Sequence, residues 1–165
     1  MSDLTAWVDK ILRYFLIFLM GFLVIDVTWQ VFTRYILGSP SSYTEEIARF
    51  TLIWIGLIGA AHALRMRLHL GIDLLVTRLT GQARYIILSL SWLATLSFAF
   101  FVMTVGGFYL VSLTLALDQT SAALGIKMGY VYLAIPLSGL LMCFYALPPF
   151  CGTIRAIFYR EDQDE

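Results

Sequence analysis

Charge is what this sequence has least of. Only 13 per cent of its 165 residues are Asp, Glu, Lys or Arg, about half the roughly 25 per cent of soluble domains. Eleven acids and eleven bases cancel to a formal net charge of zero. A nucleic-acid partner is therefore not expected, because such binding needs an excess of Lys and Arg to displace counterions from phosphates. Histidine and cysteine are almost missing, with two of each. His62 and His69 lack further ligands at metal-binding spacing, so no metal site is assigned. Cys143 and Cys151, eight residues apart, would lie roughly 12 Å apart along one helix, too far for a disulfide. They read as small packing residues. No phosphate-binding loop, nucleophile elbow or zinc motif occurs. The chain is accordingly not read as an enzyme, and no catalytic residue or cofactor is assigned.

Apolar side chains fill the space that charge leaves. They make up 60 per cent of the chain, and mean hydropathy is +0.83. A chain of this length cannot bury so much apolar surface in its own interior. Lipid must be the solvent for much of it. The expected fold is an all-α integral membrane protein, a single four-helix membrane domain over residues 1–165. Its four transmembrane spans are read at about 11–32, 46–64, 85–115 and 131–150, with short interfacial helices between them and an acidic tail at 161–165. The opening MSDLTAWVDK carries two acids, and no small-residue cleavage site follows, so it reads as part of a retained first span. The third span exceeds the roughly 20 residues a bilayer needs. It is expected to tilt, or to break near Gly106-Gly107. Pro136 falls near the start of the fourth span and Pro148-Pro149 near its end, where helices tolerate or stop at proline.

Basic residues set the orientation. With both termini cytoplasmic, Lys10, Arg13, Arg65, Arg67, Arg78, Arg84, Arg155 and Arg160 lie inside, and Arg34, Arg49 and Lys127 lie outside. Eight against three satisfies the positive-inside rule. Trp7, Trp29, Tyr35, Tyr43, Tyr85, Tyr130 and Tyr132 fall near span ends, as an aromatic belt requires.

The connections carry local signals. Ser42 with Glu45 predicts a capping box, with Glu45 and Glu46 in the first turn of the second span, where the helix dipole favours acids. The segment LGIDLLVTRLT puts Ile72, Leu75, Val76 and Leu79 on one face, as in a helix lying along the cytoplasmic interface. DQTSAALGIKMGY reads as an exposed loop. Gly56 and Ala60, and Ser91, Thr95 and Ala99, form small-residue seams that suit internal packing or a partner's helices equally.

Candidate functional residues are few. Asp26 is the one acid inside a predicted span, a costly placement. It reads either as a proton or ion relay or as a hydrogen-bonded residue facing another helix. Glu45 and Glu46 could form a cation site, a partner contact or a structural anchor with Arg34 and Arg49. Being adjacent, they point about 100° apart on a helix, which argues against paired acid–base chemistry. Arg65, His69 and Asp73 mark the cytoplasmic end of the second span and read as structural or interface residues. Arg67, Arg78 and Arg84 are candidates for anionic lipid headgroups.

One stretch adds a further expectation. Gln30-Val31 with Arg34-Tyr35 close the first span. Pro40, Tyr43-Thr44-Glu45-Glu46, Ala48-Arg49, Trp54, Gly59-Ala60-Ala61, Arg65, His69 and Asp73 follow in order. This pattern resembles the small membrane subunit, the DctQ-like family, of tripartite ATP-independent periplasmic (TRAP) transporters. The family usually has Trp where Tyr43 stands. The later half, ALGIKMGYVYLAIPLSGLLM, resembles it more loosely. The resemblance implies a scaffold subunit of a sodium-dependent importer of small organic acids in the bacterial inner membrane. A large multi-span subunit, holding the substrate and sodium sites and moving as an elevator, and a periplasmic binding protein are the implied partners, along with membrane lipids. The competing reading is a self-sufficient small four-span transporter that works as a dimer around Asp26.

Overall fold

A computed structural model describes residues 3–38, 41–66 and 82–161. The connection containing Arg67, His69, Asp73 and Arg78, with the expected interfacial helix, lies outside the described residues. Among the described residues five helices follow one another: α1 (Asp3–Tyr35), α2 (Ser42–Arg65), α3 (82–116), α4 (Met128–Tyr132) and α5 (Ala134–Glu161). Four stretches of them are long and apolar enough to cross a bilayer: Thr5–Tyr35, Ser42–Arg65, Arg84–Ala116 and Met128–Ile157. At 1.5 Å per residue the 24 residues of α2 reach about 36 Å, and the 33-residue stretch of α3 about 50 Å. The longer helices therefore tilt or project beyond a roughly 30 Å hydrocarbon core.

The helices do not close into a bundle. α1 packs on α2, α2 on α5, and α5 on α3, while α1 and α3 at the two ends share no contact among the described residues. The order across the molecule is α1, α2, α5, α3, an open row one helix thick. Burial follows position in the row. The α5 stretch, flanked on both sides, is the most buried of the four, and α1 at one end is the least.

α1 shows how little surface such a row consumes. Its covered residues are Thr5, Asp9, Leu12, Leu16, Leu19, Leu23, Asp26, Gln30 and Thr33, joined only by Val8. Apart from Val8 they alternate in steps of four and three, the period of a coiled-coil seam. The other described residues from Ala6 to Tyr35 are exposed. A cluster of buried apolar side chains joins three helices: Leu12, Ile58 and Tyr145, with Val8, Leu16, Trp54 and Leu141 against it.

α3 does not break at Gly106-Gly107. It widens instead, running as α-helix to Ser97, as π-helix over Phe98–Gly106, and as α-helix again from Gly107. The Thr104 hydroxyl donates to the Ala99 carbonyl five residues back, at 2.8 Å. The wide turn lies against α5 where that helix has no side chain. A Cβ on Gly139 would stand 2.9 Å from the Ala99 carbonyl oxygen and 2.8 Å from Met103 Cβ. One helical repeat away the roles reverse, and a Cβ on Gly107 would meet the Pro136 ring at 2.9 Å. Small residues thus let α3 and α5 approach closely, which matters where lipid competes with side chains for every contact. Gly56, by contrast, has no atom within 4 Å of its Cβ position, and Ala60 is exposed, so that pair is not used inside the subunit.

α5 also runs past its expected end. Pro148 and Pro149 lie within it, and the helix continues to Glu161. The Thr153 hydroxyl donates to the Pro149 carbonyl one turn back, at 2.8 Å.

Candidate functional site

The polar side chains collect at the two rims of the row. The proximal rim carries the start of α1 and the end of α2, and the distal rim carries the start of α2 and the α3–α4 connection.

At the proximal rim, three helices meet on one carboxylate. Arg65 at the end of α2 donates from Nε to Asp9 Oδ2 at 3.2 Å. Tyr145 on α5 donates its hydroxyl to Asp9 Oδ1 at 2.7 Å. Asp9 belongs to α1, so one side chain ties the end helix of the row to its two central helices. Arg65 and Asp9 are only about a quarter exposed, at 27 and 24 per cent. In such a half-buried setting each charge depends on its partners. Sequence reasoning singled out Arg65 but missed Asp9 and Tyr145. Asp9 read only as one of two acids in the opening MSDLTAWVDK, and its partners lie 56 and 136 residues away.

At the distal rim the expected capping box is absent. Ser41, in extended backbone, is the N-cap, its side chain caps nothing, and Ser42 is already helical. Counting from Ser41, the N3 position is Thr44, whose hydroxyl donates back to the Ser41 carbonyl at 2.9 Å. Glu45 is one residue too late for the box. It pairs with Arg49 one turn on, at 3.0 Å, both side chains more than 60 per cent exposed. An exposed pair of this kind contributes at most a few tenths of a kcal/mol.

Glu46 points elsewhere. Its two carboxylate oxygens accept the backbone N–H groups of Ala123 and Leu124, each at 3.0 Å. Adjacent carboxylates thus take separate partners, as their roughly 100° offset on the helix requires. Arg34, exposed in the last turn of α1, is not engaged by either carboxylate among the described residues.

The segment that Glu46 holds is an ordered structure. α3 ends through Asp118, a left-handed residue with φ 49°. The Asp118 and Gln119 N–H groups turn back to the carbonyls of Leu115 and Thr114, closing the helix end. Thr120 and Lys127 then form an antiparallel bridge. Gly125 supplies a second positive φ, 65°, and its N–H donates to the Ser121 carbonyl. Lys127 and Asp118 close the base at 2.9 Å. The hydrogen bond and charge of Asp118 hold the Lys127 ammonium above the usual lysine range. Glu46→Gln keeps the shape of the side chain but offers one acceptor oxygen instead of two. Amide hydrogen exchange at Ala123 or Leu124 is expected to rise about tenfold, because one backbone N–H loses its charged acceptor.

Asp26 lies on the α1–α2 seam, 9 per cent exposed. It is 17 residues, about 25 Å, along α1 from Asp9, which puts it level with the first two turns of α2. Its Oδ2 has no hydrogen-bond partner among the described residues, and neither does His62 Nδ1. Arg84 is exposed near the start of α3, as a headgroup-facing residue would be.

Four apolar spanning helices, joined among the described residues by side-chain hydrogen bonds at the rims, define a multi-pass membrane protein. The sequence profile described as the DctQ component of tripartite ATP-independent periplasmic transporters matches residues 23–156. The chain belongs to this family of TRAP transporter small membrane subunits. It is 33 per cent identical over 113 residues to the C4-dicarboxylate TRAP transporter small permease protein DctQ of Rhodobacter capsulatus, covering 68 per cent of this chain and 49 per cent of that one. It thus spans about half the length of that relative. Identity is 31 per cent over 134 residues to the sialic acid TRAP transporter small permease protein SiaQ of Vibrio cholerae, covering 78 and 73 per cent. A third relative is the isethionate TRAP transporter permease protein DctMQ of Oleidesulfovibrio alaskensis. It is 28 per cent identical over 160 residues, which cover 91 per cent of this chain and 25 per cent of that much longer one. All are named as transporter permeases, not enzymes.

Proposed function

We propose that this chain is the non-catalytic scaffold subunit of a sodium-dependent secondary transporter. It works in the bacterial inner membrane with a large multi-span subunit and a periplasmic binding protein to import small organic acids. The observation that carries the reading is the open row. Its spans are fastened at both rims, by Asp9 at one and Glu46 at the other, yet both broad faces are bare and apolar. Such a plate is suited to bracing a larger membrane protein. The DctMQ relative, in which this chain matches a quarter of one long permease, supports a large partner that stays beside it. The substrates named for the three relatives are all small organic acids, which supports the substrate class. The substrate and sodium sites belong to the large subunit in this reading. Both termini are cytoplasmic by the excess of basic residues at the proximal rim, which makes the distal rim periplasmic.

The competing reading, a dimeric transporter built on Asp26, is disfavoured by the burial of that side chain on a seam within its own subunit. Co-expression with a multi-span TRAP subunit should give a complex that survives purification. Proteoliposomes holding the complex and binding protein should take up the acid in a sodium gradient. The chain alone should transport nothing, and Asp26→Asn in the complex should retain uptake within about twofold. Uptake by the isolated chain, or its abolition by Asp26→Asn, would overturn the assignment.

A further inference from the structure

We propose that Asp26 is a proton-binding site: its carboxyl is neutral while α1 is seated on α2, and loss of the proton unseats the distal half of α1. The inference concerns the subunit's own fold and stands apart from the scaffold reading.

Position is the first observation. Along the α1 seam, Leu12, Leu16, Leu19 and Leu23 give way to Asp26, Gln30 and Thr33. Asp26 is 17 residues on from Asp9, and 17 residues back from Arg65 stands Ala48. The antiparallel register set by the Asp9–Arg65 bond therefore puts Asp26 level with Ala48 and one turn of α2 from Thr51, which is buried. The Asp26 side chain is covered on this seam, and its Oδ2 has no hydrogen-bond partner among the described residues. The second observation is that no cation meets it. α2 is the helix packed against α1. In the first two turns of α2, Glu45 and Arg49 bond one another and are exposed, and Glu46 takes the N–H groups of Ala123 and Leu124. Arg34 lies two turns further along α1 and is exposed, as are Tyr35 and Tyr43. Asp9 and Arg65 are about 25 Å away, and His62 lies about 21 Å along α2 from Ala48.

A buried carboxylate with neither cation nor donor is far costlier than the neutral acid. The neutral acid needs only an acceptor for its proton, and its own helix offers one. Thr28 donates its hydroxyl to the Val24 carbonyl one turn back, at 2.6 Å, and the matching acceptor for Asp26 is the Phe22 carbonyl. The third observation is how little else holds this part of α1. Beyond Asp9, the described side-chain hydrogen bonds of α1 stay within the helix, from Thr28 to Val24 and from Thr33 to Gln30. The distal half of this least buried span therefore rests on the seam itself. Ionising Asp26 places a charge in that seam, and the carboxylate regains water only when α1 lifts from α2. An unfolded chain holds Asp26 ionised above about pH 4, while the seated helix keeps the proton. The folded state then binds one proton more, so stability falls as pH rises, until the seated carboxyl itself ionises.

The test uses the full chain in lipid nanodiscs, with its aspartate carboxyls labelled with carbon-13. At neutral pH the infrared spectrum should contain a protonated-carboxyl stretch that shifts with the label and is missing from Asp26→Asn. Reversible unfolding in detergent supplies the second readout. Between about pH 5 and about pH 7, the unfolding constant of the wild type should rise about tenfold per pH unit relative to that of Asp26→Asn, the effect of one proton. Asp26→Thr, which keeps a neutral donor for the same carbonyl, should match Asp26→Asn. Absence of the labelled stretch from the wild type at neutral pH overturns the inference, and that measurement needs no variant to fold. A stretch that persists in Asp26→Asn overturns it too, as does a pH slope equal to the wild type's in either variant.

Discussion

Gly139→Leu should separate α3 from α5 and produce the largest loss of stability of any single change considered for this chain. The added Cβ alone would meet the Ala99 carbonyl at 2.9 Å, Met103 Cβ at 2.8 Å and the Thr104 hydroxyl at 2.7 Å. Two of these groups cannot swing aside. The carbonyl is backbone, and a Cβ moves only with its helix. The Ala99 carbonyl is also occupied, accepting the Thr104 hydroxyl within the π-helical turn. Relief therefore requires the helices to part, which uncovers Ala99, Met103, Thr104 and Ser138, all now buried. Overpacking a tight contact costs about 1–3 kcal/mol, and more when backbone must move. About 3 kcal/mol is expected, read by reversible unfolding in detergent, together with loss of the α3–α5 crosslink from a cysteine pair placed across the seam. Gly56→Ala is the internal control. No atom lies within 4 Å of its Cβ, so the subunit alone should be unchanged or gain up to about 1 kcal/mol from helix propensity. Equal losses at both glycines would refute the argument from close approach.

Removing the Asp9 carboxylate should rank second. Asp9→Ala leaves the Arg65 guanidinium without one of its acceptors and the Tyr145 hydroxyl without the oxygen it now meets at 2.7 Å. The pair is half-buried, so the full cost of orphaning a buried ion, about 3–5 kcal/mol, must be discounted for solvent. About 2 kcal/mol is expected, and Asp9→Asn should cost less because one acceptor oxygen remains. Tyr145→Phe, which removes the hydroxyl and keeps the ring among Leu12 and Ile58, should cost about 1 kcal/mol. The decisive measurement is the double variant. Because the two side chains share one bond, Asp9→Ala should cost measurably less in a Tyr145→Phe background. Strict additivity would mean that the bond contributes nothing to holding α1.

Much of the architecture was legible from residue order alone. Four apolar runs in so short and weakly charged a chain demand four spans in lipid, because no water-filled alternative could bury them. The stretch from Gln30 to Asp73 carried the family. Glu45 in the first turn of α2 was expected as well, because a helix start attracts negative charge wherever it lies, whereas Glu46 falls just beyond that turn.

What each of those residues bonds to was not legible. Glu46 and Ala123 are 77 residues apart, and Asp9 and Tyr145 are 136. Such partnerships depend on which helices become neighbours. Apolar runs do not encode that order, since lipid accepts any apolar face as readily as a neighbouring helix does. The capping box was misplaced because one residue of slip at a helix start, from Ser41 to Ser42, reassigns every side chain in the first turn. The π-helical turn in α3 escaped for a related reason. It lies where Gly139 lets another helix approach, and that glycine is on α5. Hydropathy, a local property, determined by itself that this protein is four helices in a membrane. Only the tertiary structure, through contacts distant in sequence, decided that the helices form an open row in which α5 separates α2 from α3, fastened at both rims by carboxylates.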